Sequence, residues 1–217
     1  DSGGMAVNRR YLILSPLVII AVCHVAARIA RQALGPWGWA PAVVLYWGLL
    51  GATIAMSGRT GALRRWTAPA RGARGWTALA LLVGLIPLPI LAQNLHLLAD
   101  PVILAAWLLF ALINPWFEEF YWRGLLLDAT ARWPAWAGTA YSTALFVAFH
   151  PAVAGVFSAA NRDPVALAAL GLMGLAWAAA YRRTGTLRWA VASHVLVDLG
   201  NLAVPVFLNL YVPPHLG

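Results

Sequence analysis

Six side chains able to do acid–base chemistry stand where the surrounding sequence is apolar: Glu118, Glu119, Arg123, His150, His194 and Asp198. Arg123 follows Glu119 by four residues, so on a helix the two share a face and can pair. Glu118 points about 100° away from that pair and is free to face something else. His150 follows Phe146 by four, and His194, Asp198 and Asn201 fall at i, i+4 and i+7, one face of a later helix. At membrane depth a single charge costs at least ~2.5–3.5 kcal/mol even on the lenient insertion scale. Six such groups therefore require a shared polar cavity or mutual pairing. Carboxylates with imidazoles suit hydrolysis by a bound water, with one group taking the proton and others steadying an oxyanion. Two adjacent carboxylates in different surroundings can divide into two roles. Other nucleophile patterns are missing: there is no Gly-x-Ser-x-Gly, no His-Glu-x-x-His and no Gly-x-Gly-Asp, and Cys23, the only cysteine, has no partner motif. Glu118, His150, His194 and Asp198 also form a nitrogen and oxygen set that zinc could accept, an alternative the spacing leaves open.

The elements that must position these groups follow from composition. The chain has 217 residues, 62% hydrophobic and 10% charged, where soluble domains run nearer ~45–50% and ~25%. A chain so short of polar surface has lipid as its solvent, and the fold class expected is an all-α, polytopic membrane helix bundle. Seven candidate spans lie at roughly 11–33, 41–58, 76–98, 101–128, 134–157, 164–181 and 187–203. The tail 204–216, broken by Pro205, Pro213 and Pro214, is a candidate imperfect eighth. Residues 1–4, Asp-Ser-Gly-Gly ahead of Met5, read as an added scar; 5–217 read as one transmembrane domain with its catalytic core at 101–203. Glu118 and His150 lie about 16 residues either side of Pro134, roughly 24 Å along each helix, and His194 roughly 15 Å past the turn near Gly185. Three spans can thus deliver one site.

Charge sets orientation. With the N-terminus in the cytoplasm, Arg9, Arg10, Arg59, Arg64, Arg65, Arg71, Arg74, Arg123, Arg132, Arg182, Arg183 and Arg188 fall on the cytoplasmic side, and only Arg28, Arg31 and Arg162 opposite. The +8 charge is therefore a topology signal and not a nucleic-acid footprint. All 15 basic residues are Arg and alanine is abundant, which points to a GC-rich bacterial genome and an inner-membrane location. Trp37, Trp39, Trp66, Trp76, Trp133, Trp136 and Trp189 are expected as interfacial anchors. Cys23 reads as a buried apolar residue, His24 and His96 as structural or interfacial, and Asp128 and Arg132 as interfacial solvation. The basic loop 59–75 sets topology and could also touch anionic headgroups.

The ordered set Glu118-Glu119-x-x-x-Arg123, Phe146-x-x-x-His150 and His194-x-x-x-Asp198 resembles the CPBP family, the CAAX proteases and bacteriocin-processing enzymes also called Abi, over residues 101–203. The resemblance implies an eight-helix membrane fold and a glutamic-type intramembrane endopeptidase that needs no cofactor. Its substrate would be a membrane protein or lipidated peptide in the bilayer, cut near the C-terminus. By motif position, Glu118 would activate water and His150 would help to place it. Glu119 and Arg123 would order the site, and His194 with the residue four on would stabilise the oxyanion. Eukaryotic CAAX enzymes carry Asn where this chain has Asp198. An ionised Asp cannot donate to an oxyanion, so Asp198 is either protonated or orients His194, and Asn201 could supply an amide. Two other classes compete: a non-catalytic membrane scaffold or bacteriocin-immunity protein holding a peptide in the same cavity, and a proton-coupled transporter. A single polar cluster and the lack of an inverted repeat count against the transporter.

Overall fold

The computed structural model describes residues 9–57, 61–70 and 72–216, and among these the chain is helical without a strand. Arg59, Arg71 and residues 1–4, expected to be an added scar, lie outside the described residues. Long apolar runs become helices here because a helix satisfies its own backbone N–H and C=O groups, as lipid demands. The first run divides into α1 (Arg9–Leu34) and α2 (Trp39–Met56), joined by a short 3₁₀ turn at Gly35–Gly38 and packed on each other. After α3 (Ala62–Trp66), the next apolar stretch breaks at Pro87 into α4 (Arg74–Leu85) and α5 (Leu88–Gln93).

The central run is continuous from Pro101 to Ala129, but it is not one α-helix. It comprises α6 (Pro101–Glu118), a π-helical segment Glu119–Leu125 and α7 (Leu126–Ala129). The chain then returns as α8 (Ala135–Ala152), α9 (Pro164–Thr184), α10 (Arg188–Gly200) and the single turn α11 (Ala203–Phe207). Two of the chain's acids act as helix starts. Asp100 caps α6 by accepting from Val102 N and Ile103 N at 2.7 and 3.2 Å. Asp163 caps α9 by accepting from Val165 N and Ala166 N at 3.3 and 3.1 Å. In both helices proline follows as the first helical residue, where its missing N–H costs nothing. At the other end of α9, Gly185 takes φ +72°, the left-handed C-terminal stop that glycine adopts most easily.

Five stretches among the described residues are long and apolar enough to cross a membrane: Arg9–Met56, Arg74–Gln93, Pro101–Ala129, Ala135–Val156 and Pro164–Thr184. The first carries two helices. Among the described residues these stretches do not confirm the expected count of seven to eight spans. The thirteen residues of α10 rise about 20 Å, short of the ~30 Å hydrocarbon core. The tail ends in the five-residue α11, entered through Leu202 at φ +57°.

Because α10 is short and central, it packs against α4, α5, α6 and α9 and buries Ser193, His194, Val197 and Asp198. Gly84 makes the α4 approach possible, since a Cβ there would lie 2.6–2.9 Å from Ser193. The outer faces are apolar. On α1 alone Leu14, Leu17, Val18, Val22, Val25 and Ile29 are exposed, a face that suits acyl chains rather than water. The chain is a multi-pass membrane protein. Trp37, Trp136 and Trp189 sit exposed as anchors should, but Trp66 and Trp39 do not. Trp66 is fully buried and donates to the Tyr181 hydroxyl at 3.0 Å; Trp39 stacks on Phe207 at 5.4 Å. Both were expected as anchors and are instead packing residues, because their helix ends turn inward against other elements.

Candidate active site

The π-helical segment begins at the residue after Glu118. Such a segment widens the helix and is frequent at functional positions. Glu118 and Glu119 are both buried, yet they face different surroundings. Glu119 makes the expected i,i+4 pair, accepting from Arg123 Nη1 at 2.9 Å, with both side chains fully buried. The Arg123 guanidinium lies 4.0 Å from the Phe146 ring centroid and 5.1 Å from that of Trp177, so two aromatic faces receive its charge. Gly174 leaves room for it: a Cβ there would be 2.8 Å from Arg123 Nη2.

Glu118 instead lines a cavity of about 410 Å³. Its Oε1 accepts from the Tyr46 hydroxyl at 2.8 Å, and that hydroxyl in turn accepts from Trp122 Nε1 at 2.9 Å. His194 joins the two glutamates. Its Nδ1 lies 2.8 Å from Glu119 Oε1, and its Nε2 lies 3.4 Å from Glu118 Oε2 and 3.7 Å from Asp198 Oδ1. The imidazole is stacked on Trp177 at 4.7 Å, and Trp177 is fixed by donating to Ser193 Oγ at 2.9 Å. Both ring nitrogens of His194 therefore face carboxylate oxygens, which accept unless protonated.

His150 lines the same cavity from α8. Its Nδ1–H donates to Phe146 O at 2.9 Å, since a carbonyl can only accept, so Nε2 is the nitrogen left for other partners. Phe146 stands edge-on to both imidazoles, with ring centroids 4.9 Å from His150 and 6.3 Å from His194. Asp198 receives Asn114 Nδ2 at 3.2 Å, and Asn114 Oδ1 accepts from Trp47 Nε1 at 2.9 Å. Asn201 lines the cavity as the C-cap of α10, and its Oδ1 is buried without a partner.

Glu118, His150, His194 and Asp198 thus share one cavity, while Glu119 and Arg123 stand behind it and reach it through His194. Sequence reasoning missed Tyr46, Asn114, Trp122 and Trp177. Asn114 carried a signal, standing four residues before Glu118 on the same helical face. Tyr46 carried none, because it comes from a distant, uniformly apolar helix. Among the described residues no three or more His, Cys, Asp and Glu side chains are grouped so as to hold a metal ion.

The remaining polar residues belong to the frame. Cys23 is fully buried and free. His24 Nδ1–H donates to Ala152 O at 2.6 Å, and His96 is exposed. Asp128 was expected as interfacial solvation; it accepts from Tyr181 at 2.8 Å and pairs with Arg65, tying α7 to α9 and α3. At the cavity mouth, Asp163 accepts from His215 Nε2 at 3.0 Å. Burial raises the Asp163 pKa, but bonds from Ala166 N, His215 and Val165 N outweigh it and hold the carboxyl below its ordinary value.

Fold and site together define a multi-pass helical membrane protein with a buried carboxylate–imidazole centre beside a largely apolar cavity. Residues 100–200 match the family model described as type II CAAX prenyl endopeptidase Rce1-like. Over that stretch, just under half of its length, the chain is similar to this family of endopeptidases, in agreement with the motif resemblance. All six ionisable site residues lie inside the match, and Tyr46 lies outside it. No curated protein and no solved structure matches the chain.

Proposed function

We propose that the protein is a glutamic-type intramembrane endopeptidase, hydrolysing a peptide bond near the C-terminus or membrane anchor of a membrane-protein or lipidated-peptide substrate. One observation carries this reading: Glu118, alone of the two glutamates, opens onto the cavity that His150 and His194 also line. Tyr46 occupies Glu118 Oε1, which leaves Oε2 as the proton acceptor. In this mechanism a water donates one hydrogen to Glu118 Oε2 and the other to His150 Nε2. Its lone pair attacks the scissile carbonyl carbon as Glu118 takes the first proton. The resulting oxyanion accepts from His194 Nε2–H. An imidazole that donates through both nitrogens is positively charged, and the carboxylates of Glu119 and Asp198 support that charge. The intermediate collapses with cleavage of the C–N bond, and Glu118 returns its proton to the leaving amine. A carboxylic acid and an amine result, and the acid, which still carries the water's second hydrogen, gives up that proton to solvent on release.

Asp198 suits orientation rather than donation, because Asn114 already donates to it and it lies 3.7 Å from His194 Nε2. Glu119 and Arg123 act as positioning residues through His194 Nδ1. The cavity's apolar walls, which include Trp39, Phe110, Phe149 and Met173, suit an apolar or lipidated segment next to the cut. On the arginine distribution we assign the N-terminus to the cytoplasmic side of a bacterial inner membrane.

The test is comparison of membrane-protein and secreted C-termini, by mass spectrometry, in cells with and without the active protein. Discrete truncated C-termini that appear only with it are expected; identical C-termini contradict the proposal. Water activation is proposed to run without a metal. Cleavage should then survive dialysis against a strong chelator unchanged. Loss that added zinc restores would show instead that the cavity's nitrogen and oxygen groups hold a metal.

A further inference from the structure

A second cavity, of about 340 Å³, lies behind the segment that follows His150. His24, Arg28, Arg31 and Gln32 of α1 line it together with Gly155 and Arg162. No carboxylate lines it, and none of the three guanidinium groups forms an ion pair or hydrogen bond among the described residues. Arg31 Nη1 is buried with no partner. Gly155 lets Arg162 lie across the wall, since a Cβ there would be 2.7 Å from Arg162 Cγ. His24 fixes α1 to the same wall through its bond to Ala152 O and keeps Nε2 spare.

These three arginines are the ones that the positive-inside distribution leaves on the opposite face. Scattered, they would be an unexplained cost; the structure gathers all of them around one cavity. Like charges brought together without an anion repel, and a doubly liganded oxyanion would relieve that repulsion. Guanidinium groups match phosphate oxygens bidentately. The cavity lies at the C-terminal end of α1, beside the lipid-exposed Ile29 and Val25, where a headgroup rather than a free ion is at hand.

We propose that this cavity binds the phosphate of an anionic phospholipid headgroup. The segment 151–162 separates it from the first cavity, which Val153, Ala154 and Phe157 line from the other side. A bound headgroup therefore braces the end of the helix that carries His150. The assignment does not depend on the protein being a peptidase.

The experiment is native mass spectrometry of the protein released from nanodiscs holding equal phosphatidylglycerol and phosphatidylcholine. Wild type is expected to retain phosphatidylglycerol preferentially. Arg28→Gln and Arg162→Gln, both at exposed positions, should each weaken that retention roughly tenfold, as loss of a charge-assisted bond implies. The triple variant with Arg31→Gln should abolish the preference. Equal retention of the two lipids, or retention unaltered in both single variants, overturns the proposal. A thermal-shift arm with inorganic phosphate distinguishes the sources: protection by the free ion equal to that by phosphatidylglycerol overturns the lipid assignment.

Discussion

Glu118 and Glu119 are neighbours in sequence and face different partners in the fold. Glu119 is committed to Arg123 and His194 Nδ1, while Glu118 keeps one oxygen toward the cavity and gives the other to Tyr46. The Tyr46 bond gives a direct prediction. Tyr46→Phe leaves Glu118 Oε1 and Trp122 Nε1 buried without this partner, a loss of about 1–3 kcal/mol. The kcat of cleavage should fall about tenfold with KM unchanged. An unchanged kcat would show that this hydroxyl does not tune the base. The ionisable residues of the site were legible because each is costly in an apolar helix and so marks itself. The Glu119–Arg123 pair followed from spacing alone. The hydroxyl, amide and indole partners were not legible, because Tyr46, Trp122 and Trp177 look like ordinary bundle packing until the helices meet.

At the scale of elements, the site depends on a short helix and an irregular one. Expecting α10 to span followed from reading 187–203 as continuous; Gly200 and the left-handed Leu202 end it early. Its brevity is what lets a polar face with His194 and Asp198 be enclosed by α4, α5, α6 and α9 instead of meeting lipid. The π-helical segment was invisible to a 3.6-residue period, which registers hydrophobic faces and not a locally widened turn. The α4–α10 contact offers the test at this scale. Gly84→Val drives two methyls into Ser193 and, through it, Trp177 and the His194 ring. A loss of about 1–3 kcal/mol in stability is expected, together with reduced cleavage, by thermal unfolding and activity on the same preparation. Wild-type stability in that variant would mean that α4 and α10 approach less closely than described.

For the molecule as a whole, composition settled the class: an apolar exterior around a polar centre follows from 62% hydrophobic residues in 217. The number of spans did not follow, because hydropathy cannot distinguish a lipid-crossing helix from one buried by its neighbours. The tail, a candidate eighth span, instead reaches the cavity mouth, where His215 bonds to Asp163. The folded pKa of Asp163 lies below its ordinary value of 3.8. Its contribution is therefore complete at neutral pH and is lost as pH falls below 3.8 through the folded value. Hydrogen exchange of the amides in 208–216 should lose protection over that acid range, and His215→Ala should weaken protection already at neutral pH. Protection that persists in both cases would show that the tail is held by its apolar contacts alone.

The most direct measurement for the account is the rate of substrate cleavage by Glu118→Gln in proteoliposomes, beside its thermal stability. The amide keeps the volume and the bond from Tyr46 but cannot take a proton from water. The expected outcome is a fall of roughly 10²–10⁴-fold in kcat with melting close to wild type. A folded Glu118→Gln protein that cuts at the wild-type rate would contradict the assignment of Glu118 as the base.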